Sequence, residues 1–237
     1  VIYIVGVGPG NPELLTIKAH NIITTKAEVV VYDRLIPKEI LDIIPSKVKK
    51  IFAGKEKDNH TLSQDEINNE LLKWHNKGKN VVRLKGGDPF IFGRGGEEIE
   101  FLQQHNASFE VVPGITTASS ISSEFLIPLT DRRFASQVIF ITGHKAKDKD
   151  FSINWQALAS DDITIVIYMG LSTITEIVEK LLINGKNPNT KALAVEWSST
   201  NKRKHLFSTL KALPSDLAKK GLASPTTIII GRVVGEI

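Results

Sequence analysis

The sequence predicts an α/β fold: two α/β domains, each with a mostly parallel sheet, and a cleft between them. Three observations carry that expectation. Short β-branched runs alternate with longer stretches of helical period. The runs are apolar throughout, as strands covered on both faces are. The same rhythm restarts after residues 127–133 (IPLTDRR), too short for a loose linker, which divides the chain into domains 1–130 and 131–237.

Residues 1–5 read as the first strand. Residues 14–27 follow as a helix, with Leu14, Ile17, Lys18 and Ile22 at three- and four-residue spacings. Residues 28–32 (EVVVY) form a strand, 38–44 a short helix and 48–53 another strand. Ser63 opens the next helix with a capping box: its hydroxyl takes one free N–H while Glu66 reaches back to another. That helix runs through Ile67, Leu71 and Trp74 to Gly78. Strands at 80–84 and 109–112 are separated by a Gly-rich loop and a helix at 97–105, and a small-residue helix opens near Ala118. In the second half, strands fall at 137–142, 164–168, 191–196 and 226–230, with a helix at 173–184 ended by Gly185.

Composition narrows the function classes. With 237 residues, 41% hydrophobic and 24% charged, the chain is an ordinary globular protein rather than a disordered or fibrous one. It has no cysteine, which excludes thiolate nucleophiles, disulfides and Cys-type metal sites and fits a reducing compartment. Its six histidines are scattered without ligand spacing, so no metal is expected. No apolar run approaches the ~18 residues of a membrane span, and residues 1–7 meet glycines at once without a basic leader. The expectation is a cytoplasmic protein with no membrane and no nucleic-acid partner. A net charge of +4 with 7% aromatics lacks the basic stripe of a nucleic-acid binder and suits an anionic small molecule.

Five loops follow strands and offer chemistry. Gly6-Val7-Gly8-Pro9-Gly10 lets backbone N–H groups approach a ligand, though Pro9 removes one donor and displaces the pattern from G-x-G-x-x-G. Tyr32-Asp33-Arg34 sits at a strand's carboxyl end, where ligands of open α/β sheets collect. The longest motif runs from Val82 to Glu98 (VRLKGGDPFIFGRGGEE). Five glycines and a proline within residues 86–96 give it more backbone freedom than a connection needs, so it binds something. Within it Asp88 offers acceptors for ribose hydroxyls or an ammonium, and Arg94 a bidentate fork for a carboxylate. Val112-Pro113-Gly114-Ile115-Thr116-Thr117 and Tyr168-Met169-Gly170 complete the set and point at one cleft.

These motifs, in this order, resemble the uroporphyrinogen-III C-methyltransferases of the tetrapyrrole methylase family: VGVGPGNPELLT, YDRL, VVRLKGGDPFIFGRGGEE, VVPGIT, IPLTDR, TGH, YMG and SPTTIIIGRVV. The resemblance implies a homodimer that holds S-adenosylmethionine in the interdomain cleft. It also implies two successive methyl transfers to uroporphyrinogen III, through precorrin-1 to precorrin-2, for siroheme and cobalamin. Donor contacts carried over from the family fall on Pro9, Gly86, Gly87, Asp88, Ile91, Thr116, Thr117 and Met169, the proton acceptor on Asp33 and the proton donor on Lys55. A further donor contact, a glycine in the family, is Ser198 here. The family's histidine in its Pro-Leu-Thr-His-Arg stretch is Asp131, while Arg132 is kept.

The chemistry suits these residues. Aligning donor and pyrrole carbon away from water is the main task. A ring proton must then leave, for which a positioned carboxylate is the natural base, with Lys55 near Asp33 to hold it ionised. Arg34, Lys55, Lys85, Arg94, Arg132 and Arg133 lie on the loops expected to face a polycarboxylate substrate. The alternatives are a methylase acting elsewhere on corrin precursors, a nicotinamide-dependent oxidoreductase using the Gly8 turn with Asp33 on ribose, and a non-catalytic sensor.

Overall fold

The computed structural model describes residues 1–54, 62–144 and 153–235. It separates into two compact units, Val1–Thr116 and Thr117–Ile237.

The first unit is a five-stranded sheet, parallel throughout, in the order β3-β2-β4-β1-β5. Its strands are β1 (Ile2–Gly6), β2 (Val29–Tyr32), β3 (Lys49–Phe52), β4 (Val81–Lys85) and β5 (Phe109–Val112). Its helices are α1 (Ile17–Asn21), α2 (Lys38–Asp42), α3 (Gln64–Asn76) and α4 (Gly95–Gln104). Strand residues alternate between two cores. Tyr3, Val5, Val30, Val82 and Leu84 pack with Ala19, Ile22 and Ile23, whereas Ile2, Ile4, Val29, Val31 and Val81 pack with Ile67, Leu71 and Leu102. Each fully buried side chain of this size contributes about 1.5–3 kcal/mol. The capping box at Ser63 forms: Ser63 Oγ accepts from the Glu66 N–H at 3.2 Å, and Glu66 Oε2 accepts from the Ser63 N–H at 2.6 Å.

The helix expected at 14–27 is instead three pieces: a 3-10 turn Pro12–Leu14, α1, and a π turn Ile22–Lys26 closed by Ala27 N–H on the Ile22 carbonyl at 3.0 Å. Thr16 caps α1. The hydroxyls of Thr24 and Thr25 donate to the carbonyls of His20 (2.8 Å) and Asn21 (2.6 Å), a back-bonding that loosens the α ladder.

The second unit has the order β6-β7-β10-β8-β9, from β6 (Gln137–Thr142), β7 (Ile163–Tyr168), β8 (Lys191–Glu196), β9 (Lys204–Thr209) and β10 (Thr226–Ile230). Only the β6–β7 pair is parallel, so the expectation of a mostly parallel sheet is corrected here: the sheet is mixed. The reasons are β10, which runs antiparallel to both β7 and β8, and β9, unread in the sequence because its outer residues are exposed. It follows β8 across a short turn, and such a hairpin is antiparallel of necessity. Helices α5 (Thr117–Glu124), α6 (Trp155–Leu158), α7 (Ile174–Ile183) and α8 (Leu213–Lys220) cover it. The stretch 127–133, expected to divide the halves, lies within this unit. Ala118, Ile121, Ile127 and Ala135 all pack on Val166, Leu193, Val195 and Ile229.

Candidate active site

In the first unit the candidate residues gather at the carboxyl ends of β1, β2, β4 and β5. The connections leaving β1 and β4 run to opposite sides of the sheet, and open α/β sheets bind ligands at such a switch point. There Gly8 and Gly87 form an isolated antiparallel bridge, Gly8 N–H to the Gly87 carbonyl at 3.1 Å and Gly87 N–H to the Gly8 carbonyl at 2.7 Å. A β-carbon on Gly114 would stand 2.1 Å from the Gly87 oxygen, and one on Gly6 2.6 Å from Gly114 N. Three strand ends thus touch backbone to backbone, which a side chain at Gly6 or Gly114 would prevent.

Asp88 fastens this arrangement. Its Oδ1 accepts from the Phe90 N–H at 2.8 Å and its Oδ2 from the Gly114 N–H at 3.1 Å, joining the loop after β4 to the loop after β5. Each oxygen retains a further lone pair. Beside it Gly86 meets only Leu35, whose Cβ lies 3.5 Å from where a β-carbon would sit, and Pro9, Ile91 and Thr116 are half-buried. Gly95 N–H donates to the Pro89 carbonyl at 3.0 Å, and Phe92 and Arg94 take left-handed backbone with φ of 54° and 58°. Such conformations cost about 1–3 kcal/mol each and concentrate at functional loops. The Arg94 fork is engaged within the loop: Nε is 2.9 Å from Glu97 Oε1 and Nη2 2.5 Å from Oε2. A ligand carboxylate therefore competes with Glu97 for it.

Asp33 ends β2. Its Oδ1 accepts from the Leu35 N–H at 3.0 Å, and its Oδ2 from Arg83 Nη2 at 2.9 Å. Arg34 beside it is exposed. Lys55, expected as the cation near Asp33, lies outside the described residues. Among the described residues the cation on Asp33 is Arg83, from the middle strand β4. Arg83 also donates through Nη1 to the Leu84 carbonyl (2.9 Å) and through Nε to Glu98 Oε1 (3.3 Å). Lys85, expected on an open loop facing substrate, is buried instead, its Nζ 3.0 Å from Glu98 Oε1 and 2.9 Å from Oε2. Burial pushes its ammonium pKa down, and Glu98 opposes that shift. Residues 81, 83 and 85 share one face of β4, and that face meets α3 and α4 rather than solvent. Arg83 and Glu98 were not expected as site residues; two cations within an apolar strand and a glutamate early in the next helix were the available signal.

The second unit repeats the glycine contact. A β-carbon on Gly143, after β6, would lie 2.2 Å from Gly170 Cα, after β7. Between β7 and Gly170, Met169 is 51% exposed on left-handed backbone. Tyr168 OH accepts from the Ala118 N–H at 3.1 Å, at the start of α5 next to Thr117. Ser198 is buried after β8, its Oγ 3.2 Å from Ser120 Oγ and 3.3 Å from Glu124 Oε1. Ser199 also bonds Glu124, and Arg203 Nη1 lies 2.9 Å from Glu124 Oε2. Burial works against charge on Glu124, but Ser199, Arg203 and Ser120 together hold its carboxyl below the usual value. Arg132 is exposed, whereas Arg133 closes on Asp131 with two contacts of 3.0 Å, holding that carboxyl at about 2. Among the described residues no group of three His, Asp or Glu side chains is placed to hold a metal ion, and no helix is long and apolar enough to cross a membrane.

The family model for tetrapyrrole (corrin/porphyrin) methylases matches residues 1–214. The uroporphyrinogen-III C-methyltransferase of Bacillus subtilis is 47% identical over 233 residues, covering 98% of this chain and 90% of that one. The siroheme synthase of Chromobacterium violaceum is also 47% identical across 98% of this chain, which spans only 49% of it. The chain thus covers about half the length of the siroheme synthases it matches. Among solved structures, a uroporphyrin-III C-methyltransferase from Thermus thermophilus complexed with S-adenosylhomocysteine aligns with TM-score 0.83 and 36% identity, covering 99% of this chain and 93% of that one. A cobalt precorrin-4 methyltransferase aligns with TM-score 0.86 at 23% identity over 98% of this chain and 95% of that one, showing the same fold.

Proposed function

Because the chain belongs to the tetrapyrrole (corrin/porphyrin) methylases, we propose that it is an S-adenosylmethionine-dependent C-methyltransferase that carries uroporphyrinogen III through precorrin-1 to precorrin-2 by two methyl transfers, for siroheme and cobalamin. The observation that carries this reading is the Asp33 carboxylate, partly open at the end of β2, on the same carboxyl edge of the sheet as the glycine contact of Gly6, Gly87 and Gly114.

The donor set fits the methyl donor. Gly86 and Gly87 give backbone approach, the Asp88 oxygens retain acceptor capacity for ribose or ammonium, and Pro9, Ile91 and Thr116 give partly apolar walls. In the second unit Thr117, Met169 and Ser198 are the remaining donor contacts, Ser198 through its backbone between the left-handed residues Trp197 and Ser199. When bound, the donor supplies a methyl group on a sulfonium. Asp33 Oδ2 takes the ring proton while the Leu35 N–H and Arg83 hold the carboxylate in place. Lys55 returns a proton, and Arg34, Arg94 and Arg132 receive substrate carboxylates. A homodimer rests on the family resemblance, and a cytoplasmic setting on the absence of cysteine.

The test is incorporation of labelled methyl from S-adenosylmethionine into uroporphyrinogen III, followed by product spectra. Asp33→Asn lowers turnover by ~10²–10⁴, the span for a lost general base, with donor affinity unchanged. Donor binding without methyl incorporation by the wild type overturns the enzyme reading in favour of a sensor.

A further inference from the structure

We propose that Arg83 and Glu98 are positioning residues for Asp33: a buried ion-pair relay that fixes the carboxylate where it takes a proton. The proposal rests on the reading of Asp33 as proton acceptor.

The middle strand of a sheet covered on both faces is a costly place for charge, since each ion loses several kcal/mol of hydration before pairing repays it. Yet β4 carries Arg83 at 4% and Lys85 at 5% exposure, and α4 lays Glu98 over them at 0%. An apolar trio of similar volume fills such a space at no loss of stability, so packing alone does not call for these charges.

The geometry shows what they do instead. Every guanidinium nitrogen of Arg83 has a partner: Nε on Glu98 Oε1, Nη1 on the Leu84 carbonyl, Nη2 on Asp33 Oδ2. A planar fork held at three corners cannot swing. Glu98 is held in turn by Lys85 Nζ and by Gln64 Nε2 of α3, 3.2 Å from Oε1, while Gln64 also donates to Asn68 Oδ1 at 3.1 Å. The chain of contacts therefore runs from α3 and α4 through β4 to the end of β2. Only its last member, Asp33, has a side chain more than a tenth exposed among the four charged groups. The charges balance, two carboxylates against two cations, so the relay orients Asp33 without adding net charge behind it.

Arg83 matters here for its shape. An ammonium at position 83 keeps the charge but is a point, and one point does not span Asp33 and Glu98 together. A displacement of the base by about 1 Å is enough to cost up to ~10²-fold in turnover.

The test is a mutant cycle in the full chain, with methyl transfer, S-adenosylhomocysteine affinity and thermal melting all measured. Arg83→Lys is expected to lower kcat by ~10–100-fold while the tetrapyrrole KM and the S-adenosylhomocysteine Kd stay within about twofold. Glu98→Gln, which keeps an oxygen for Arg83 Nε but drops the charge, is expected to lower kcat in the same direction and serves if Arg83→Lys does not fold. The deciding comparison is the double variant Asp33→Asn/Arg83→Lys: if Arg83 acts through Asp33, it is no slower than Asp33→Asn alone. Additive losses, or a wild-type kcat in both single variants, overturn the positioning role while leaving Asp33 in place. Near-wild-type turnover by Asp33→Asn overturns the parent reading instead, and the relay with it.

Discussion

Asp88→Ala is the perturbation whose consequences the structure sets out most fully. The carboxylate was expected as a ligand contact, but it is first a brace, accepting the Phe90 N–H at 2.8 Å and the Gly114 N–H at 3.1 Å. Hydrogen bonds to a charged acceptor contribute ~1.5–3 kcal/mol each when buried. Asp88 is only half-buried, so water replaces part of the loss, and about 1–3 kcal/mol in all is the expected cost. That cost divides between two readouts. The part that holds Gly114 against Gly87 appears as lower stability of the ligand-free protein, and the part that faces the donor appears as weaker binding. Calorimetry with S-adenosylhomocysteine, paired with urea unfolding of the ligand-free variant, separates them. A binding loss of ~5–150-fold corresponds to the full 1–3 kcal/mol. Asp88→Asn keeps Oδ1 for Phe90 but turns an amide toward either Gly114 or the donor, and falls between. Unchanged affinity together with an unchanged unfolding midpoint refutes both the brace and the contact.

Further outcomes follow from other contacts. Gly114→Ala places a β-carbon 2.1 Å from the Gly87 oxygen and 2.7 Å from the Gly6 carbonyl carbon, backbone that cannot swing aside, and is expected to cost at least ~1–3 kcal/mol in urea unfolding. A wild-type midpoint there means the three loops separate freely. If the exposed Arg34 and Arg132 receive substrate carboxylates, the tetrapyrrole KM is expected to rise with salt, since such charges are screened within ~8–10 Å, while the donor Kd changes less. Equal salt slopes reduce these arginines to solvated surface. Glu124, held low in the folded protein, stabilises it above its ordinary value of 4.5 and loses that contribution as pH falls through its folded value. Melting of Glu124→Gln against wild type is therefore expected to differ most at neutral pH and to converge as pH falls below the ordinary carboxylate range. A gap that widens in acid contradicts the assignment of that shift.

The α/β rhythm, the family and the loops were all legible in the order of residues alone. Apolar runs and their spacing are local properties, and so is the capping box at Ser63, where a hydroxyl and a carboxylate three residues on need no distant partner. Glycines in loops after strands were legible for the same reason. That Gly6 and Gly114 must be glycine to meet each other and the Gly87 carbonyl is not, because the contact joins three strands far apart in the chain. Strand direction in the second sheet likewise had no local signal: β10 runs antiparallel to both its neighbours, and β9 hid behind exposed outer residues. Charge was the least legible feature. Lys85 and Arg94 are both basic residues of one glycine-rich motif, yet one is buried on Glu98 and the other lies on the surface against Glu97. Sequence supplies the sign of a charge, and only the packing of α4 on β4 decides which partner neutralises it and whether water reaches it.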